Sequence, residues 1–294
     1  MTQQHRHHNA ARKNAQRLVA EQAVSPARRR GWQIAIILFV VAVIGCVAYV
    51  VNSLGTKDVP SSGPVPKSAN EFGGIVLSKD SIQLNSSSVT TRDQKNLLAS
   101  TASTSPNSRS RGRDTTLPIG VECPHEASCN GKPVRVTLVE DLNCLYCARL
   151  TQAYGNGLKQ QVLDGKVTLE IRPVNFMDPE TRTEYSSRAA MAAYSVAEQV
   201  SPAEFLDWQA EIFTHQGKGG LSNSELAEIA AKHGASIEAD LDSQKYWPMV
   251  NTVSDETKSN GLTAVPTYYA DGITFDENSL MTFLDRVESQ KTRV

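Results

Sequence analysis

A run of 20 residues without a charge, "WQIAIILFVVAVIGCVAYVV" from Trp32 to Val51, constrains this 294-residue chain more than any other feature. It has the length an α-helix needs to cross the hydrocarbon core of a bilayer. Seven basic side chains precede it (Arg6, Arg12, Lys13, Arg17, Arg28, Arg29 and Arg30) against the single acid Glu21, and a positive flank stays on the cytoplasmic side. The pattern predicts a cytoplasmic basic tail over 1–31, one transmembrane helix over 32–51, and a C-terminal part outside the cytoplasm. A cleaved signal fits less well, because the leader of roughly 30 residues is long for one and no small-residue cleavage site follows Val51.

Within the span, "VIGC" at 43–46 resembles the lipobox after which a bacterial lipoprotein is cut and lipidated, with Cys46 as the candidate. The run continues through "VAYVV" where a lipoprotein turns polar, which favours Cys46 as a small apolar residue of a membrane helix. Either way the rest of the chain is tied to the membrane. Residues 52–115 include "PSSGPVPKSAN", "LNSSSVTTRD" and "ASTASTSPNSRSRGRD". Such Ser-, Thr- and Pro-rich stretches bury too little apolar surface to offset ordering entropy. They predict a flexible linker, of root-mean-square reach about 40 to 50 Å if wholly coil. One island, "FGGIVLSKDSIQL", has the makings of a strand.

From Thr116 periodic apolar patterns run to the end, enough chain for one domain over 116–294. This part carries 25 acidic and 15 basic side chains, which argues against nucleic acid as a partner. "VRVTLVE" at 134–140 reads as a strand, "CLYCARLTQAY" as the start of a helix weakened at Gly155 and Gly157, and "VTLEIRPVNF" as a second strand. Strand, helix, strand predicts a right-handed parallel crossover. A helical insertion follows over about 183–260. Ser201 with Pro202 and Glu204, and Ser222 with Glu225, mark two helix starts there. A further helix is expected over Asp242–Ser259. "AVPTYYADGITF" then reads as a hairpin turning at Asp271-Gly272, and "ENSLMTFLDRVES" as a last helix.

At the first strand-helix junction stand Cys144 and Cys147, in "EDLNCLYCARL". Such a CxxC pair can be a redox couple, half of a zinc site or a structural cross-link. With Pro266 in "AVPT" before the hairpin, "DGKVTLEIRPVNFMD" and "YSSRAAMAAYSVAE", the order resembles the thioredoxin fold with the helical insertion of DsbA-like thiol-disulfide oxidoreductases, of the membrane-anchored bacterial type. The resemblance covers about residues 120–290. It implies an α/β fold, no cofactor, and a redox-active Cys144–Cys147 pair acting on exported proteins with cysteines. It also implies a cis Pro266 that sets the Val265 backbone beside the sulfurs to hold substrate, and a quinone-linked membrane oxidase as redox partner. The substrate-facing dipeptide is Leu145-Tyr146.

Exchange needs a thiolate with a lowered pKa, which a helix N-terminus supplies. Asn143 is the expected N-cap, placing Cys144 on the first turn as nucleophile, with Cys147 as the resolving thiol. Two departures from the family pattern stand out. Strongly oxidising relatives often carry Pro and His between the cysteines, where this chain has Leu145 and Tyr146. The relay acid that many relatives keep six residues before the first cysteine is here Leu138; Glu140 and Asp141 lie nearby, in what reads as an exposed loop. Cys123 and Cys129 are expected to form a structural disulfide, contributing roughly 2 kcal/mol by loop entropy; a zinc site drawing on Cys123, His125 and the CxxC has an unusual spacing. The resulting expectation is an extracytoplasmic disulfide oxidase. Its alternatives are a reductase or isomerase, or a non-catalytic chaperone or adaptor.

Overall fold

The computed structural model describes residues 39, 40, 42, 43, 59–98, 119–121, 132–180, 183–216, 219–275 and 279–291. Residues 39, 40, 42 and 43 are helical. The rest of the expected 32–51 span lies outside the described residues, as do Cys46, Cys123, His125 and Cys129. Among the described residues no helix is long and apolar enough to cross a membrane. Residues 1–58 and 59–294 form two separate units, and the second holds the Cys144–Cys147 pair.

The centre of this second unit is a five-stranded sheet, in which β2 (Ile75–Leu77), β5 (Val167–Pro173), β4 (Val134–Glu140), β6 (Thr267–Ala270) and β7 (Ile273–Thr274) lie side by side in that order. β4 and β5 are parallel, from Val134 opposite Val167 to Glu140 opposite Pro173, and α1 (Leu145–Leu163) makes the crossover between them. β6 is antiparallel to β4, with Val139 opposite Thr267. Asp271 and Gly272 both take positive φ in the two-residue turn to β7, as a tight hairpin requires.

α1 runs unbroken through Gly155 and Gly157. The second glycine has a packing reason: a Cβ there would stand 3.1 Å from Met281 Sδ of α7 (Leu280–Lys291). Between β5 and β6 come α2 (Tyr185–Ala197), α3 (Pro202–Ile212) with a 3-10 turn over Phe213–His215, α4 (Asn223–Lys232), α5 (Glu238–Asp242) and α6 (Trp247–Ser259). The capping serines act as their spacing predicts. Ser201 Oγ accepts from the Glu204 amide, and Ser222 with Glu225 closes a reciprocal capping box. The helix expected from Asp242 instead begins at Trp247: Gln244 takes a left-handed φ of 54° and Pro248 occupies the first turn, where proline can start a helix but not sit inside one.

Residues 59–98 correct the linker expectation. This arm is folded onto the domain: β2 is an edge strand of the central sheet, and β1 (Ser62–Pro64) pairs antiparallel with β3 (Thr91–Asp93). Its apolar content is small but well placed, with Ala69, Ile75 and Leu77 fully buried. Its polar groups pair with polar groups buried elsewhere. Asn70 Nδ2 donates to Glu170 Oε1 at 3.0 Å, Ser68 Oγ donates to the Tyr194 carbonyl at 3.0 Å, and Tyr194 donates to the Gly73 carbonyl at 2.9 Å. Gly74 permits this approach, since a Cβ there would fall 2.1 Å from Glu170 Oε1. Burial pushes the Glu170 carboxyl up, but Arg172 and Arg135 outweigh it and hold the group at about 2.

Arg92 and Glu256 of α6 form a buried pair at 2.6 Å, and Glu256 also accepts the Leu98 amide at 2.5 Å. Composition misses such a segment because what holds it is polar satisfaction by distant partners, not its own hydrophobicity. Replacing Arg92 by Met strands a buried carboxylate, which costs about 3 to 5 kcal/mol. Urea unfolding of the Arg92→Met variant should show that loss, whereas an arm that merely rested on the surface would leave the midpoint unchanged.

Candidate active site

β4 ends at Glu140, and a tight turn carries the chain into α1. Asp141 organises that turn. Its carboxylate accepts the amides of Asn143 and Met177, each at 2.8 Å, and its carbonyl accepts the Cys144 amide at 2.9 Å. The Asn143 backbone is thereby held inside the turn. The N-cap is Cys144 itself, with extended backbone (φ −80°, ψ 122°) and a carbonyl that accepts the Ala148 amide at 3.1 Å. This corrects the expected cap by one residue. It also puts the sulfur where a capping side-chain oxygen would sit, facing the free amides of the first turn.

The consequence is electrostatic. The Cys147 thiol donates toward the Cys144 sulfur, and the amides of Cys147 and Tyr146 are turned toward it without closing capping hydrogen bonds. Against the opposing effect of burial, these donors bring Cys144 from an ordinary thiol value of 9.0 down to about 6. Cys147, deeper in the fold and 1 % exposed, is pushed far up, first by burial and then by its role as donor to Cys144. Both cysteines are free thiols. One is set to be a thiolate at neutral pH and the other a thiol, the division of labour that exchange requires.

Around the pair, Cys144 Sγ in its thiol form donates to the Val265 carbonyl at 3.6 Å, and the Val265–Pro266 bond is cis. Val265 and Pro266 are half-buried. Leu145 and Tyr146 are the exposed apolar surface beside the sulfur, 53 % and 65 % exposed, and the Arg149 guanidinium lies 5.5 Å from the Tyr146 ring centre.

Glu140 and Asp141 are not exposed loop acids; both are fully buried. Burial, opposed by a hydrogen bond from Gln209 Nε2, pushes Glu140 up to about 8. Burial likewise raises Asp141, to about 6, despite the Asn143 and Met177 amides. Leu138, two residues before Glu140 on the same face of β4, is buried and apolar. The charge of Glu140 is one of the causes that hold Cys147 up, so the two groups sense each other's protonation. Gln209 and Gln216 belong to α3 and the end of its 3-10 turn. Gln216 Nε2 donates to the Cys144 carbonyl at 2.7 Å. Neither glutamine carries a signal in the sequence, because both act across more than sixty residues of chain.

Residues 131–287 match a family model described as thioredoxin. A search of curated protein sequences finds no match. Among solved structures, the reduced disulfide bond oxidoreductase DsbG from Mycobacterium tuberculosis is 24% identical, over 54% of this chain and 85% of that one, with a TM-score of 0.47. MdbA, a thiol-disulfide oxidoreductase from Corynebacterium matruchotii, is 26% identical, over 52% and 81%, with a TM-score of 0.46. BdbD from Bacillus subtilis is 18% identical, over 56% and 90%, with a TM-score of 0.45.

Two outcomes test this electrostatic arrangement. Alkylation of Cys144 should titrate with a midpoint near 6, with Cys147 unreactive through the neutral range; a Cys144 midpoint at the ordinary 9.0 would contradict it. For Glu140, a carboxyl raised in the folded state contributes stability that is complete below about 4.5 and lost as pH rises through about 8. Glu140→Gln should therefore stabilise the reduced protein by roughly 2 to 4 kcal/mol near pH 8 and much less near pH 5, read from urea unfolding at both values.

Proposed function

Because the chain belongs to the thioredoxin family and is a thiol-disulfide oxidoreductase with a Cys144–Cys147 pair, we propose that it works outside the cytoplasm as a disulfide oxidase for exported proteins. In this reading residues 32–51 hold it in the membrane, with the N-terminus in the cytoplasm and the catalytic domain on the far side. The observation that carries the direction of electron flow is the lowered pKa of Cys144, near 6. A thiolate stabilised only in the reduced enzyme favours that state. The depressed thiol contributes stability that is complete above 9.0 and lost as pH falls through about 6, so near pH 7 it is worth roughly 1 kcal/mol to the reduced form. A stabilised reduced form makes the disulfide a stronger oxidant.

The steps balance as a two-electron exchange. A substrate thiolate attacks Cys144 Sγ of the oxidised enzyme, the Cys144–Cys147 bond breaks, and Cys147 leaves and takes up a proton, for which buried Glu140 is a local donor. The second substrate thiolate then attacks the first substrate sulfur in the mixed disulfide, forming the substrate disulfide and expelling Cys144 as the stabilised thiolate. The substrate leaves oxidised and the enzyme reduced. Leu145 and Tyr146 offer apolar contact to the substrate segment, and Val265 and Pro266 flank the sulfur that is attacked. A quinone-linked membrane oxidase would restore the disulfide.

One observation favours a second reading. The residues between the cysteines are Leu145 and Tyr146, so no histidine adds to the amides that stabilise the thiolate, and a milder couple would serve an isomerase or reductase. Equilibration with glutathione, with the state of Cys144 and Cys147 read by mass spectrometry, separates the two. A potential near −120 mV supports disulfide donation, one near −180 mV an isomerase, and one of about −270 mV or below a reductase. Cys144→Ser should abolish exchange altogether; a variant that keeps full function would make the domain a binding adaptor.

A further inference from the structure

We propose that Gln216 is a positioning residue of the exchange reaction: its carboxamide clamps the turn before α1 and so holds the Cys144 sulfur against the first-turn amides. Gln216 Nε2 donates to the Cys144 carbonyl at 2.7 Å and reaches the Leu142 carbonyl at 3.4 Å. The orientation of the amide follows from its partners, since carbonyl oxygens only accept and the nitrogen must therefore face them.

An N-cap carbonyl ordinarily accepts one amide, four residues on. Here Ala148 supplies that bond at 3.1 Å, and Gln216 adds a second from outside the helix. The backbone of the nucleophile is thus held from two sides, by its own helix and by the helical insertion. Because Cys144 is the cap, any rotation of its backbone swings the sulfur away from the amides of Tyr146 and Cys147. Polarising the Cys144 carbonyl also strengthens the peptide dipole at the very start of the helix.

The other end of the carboxamide points the same way. Gln216 Oε1 is buried and has no hydrogen-bond partner among the described residues. A side chain kept only to fill this space would be apolar, since an unmatched buried acceptor is unfavourable. The amide is retained where its nitrogen has work at two carbonyls. The insertion makes the analogous contact behind the site, where Gln209 donates to Glu140. Ahead of α4, Gly219 and Gly220 take φ of 82° and 78°.

The inference rests on the exchange reaction and not on its direction. Two variants of the full chain test it. Gln216→Leu removes the donor and the orphan acceptor together, so it should fold with unchanged or higher melting temperature. Its Cys144 thiolate, followed by ultraviolet absorbance against pH, should titrate about half a unit higher, and the thiolate fraction below the midpoint should fall roughly threefold. Gln216→Glu keeps the shape but sets a carboxylate against two carbonyls, and should shift the midpoint further, by about one unit. Both shifts should move the glutathione equilibrium toward the oxidised enzyme. Unchanged midpoints and equilibria in both variants would overturn the role, with or without a change in melting temperature. Loss of the native fold in both would make Gln216 structural and overturn it as well. If Cys144→Ser abolishes exchange while these variants behave as the parent, only this inference fails.

Discussion

A sulfur occupying the place of a capping side chain is the interaction on which the rest of this site depends. Helix N-termini leave amides without partners, and those amides favour negative charge. By ending β4 at Glu140 and using Asp141 to draw the Asn143 and Cys144 amides inward, the chain delays the start of α1 until Leu145. Cys144 then receives the stabilisation that an aspartate or serine would draw at an ordinary helix start. Cys147, one turn further in, receives burial instead. The difference between the two thiols thus comes chiefly from three residues of displacement along a helix, with the charge of Glu140 adding to the effect of burial on Cys147.

The same region carries an electrostatic tension. Two carboxyls in succession, Glu140 and Asp141, are buried below the cysteines, and each is raised by burial. Asp141 is tolerated because backbone amides saturate it. Glu140 has one strong donor, Gln209, and stays close to neutral pH in its titration. A group balanced in that way can exchange a proton with its surroundings during a reaction in which Cys147 must gain or lose one. Elsewhere the fold handles buried charge by pairing, as with Glu170 between Arg172 and Arg135 and with Arg92 against Glu256.

Much of the architecture could be read from residue pattern. The β-branched alternation of β4, the serine caps of α3 and α4, and the Asp271-Gly272 turn are local signals, and local chemistry decides each of them. The readings that needed correction fail for a common reason. Asn143 is a good cap by type, but Asp141 draws its backbone into the preceding turn and the helix begins one residue later, with Cys144 as the cap. The arm over 59–98 looks too polar to fold, yet its Asn70, Ser68 and Arg92 meet buried groups about a hundred residues away or more. Glu140 and Asp141 look like loop acids because nothing nearby in the chain announces the helices that cover them.

What the sequence by itself determined is therefore the order of elements and the pair of thiols: periodicity, caps, turns and the spacing of Cys144 and Cys147 are properties of neighbours along the chain. The tertiary structure decided how far apart the two thiols titrate, which acids are buried and what clamps the turn before α1. Those outcomes depend on desolvation and on donors such as Gln209 and Gln216, and on contacts such as that of Cys144 with Val265. All of these arrive from distant segments, so their effect on the sulfur exists only once the chain has folded.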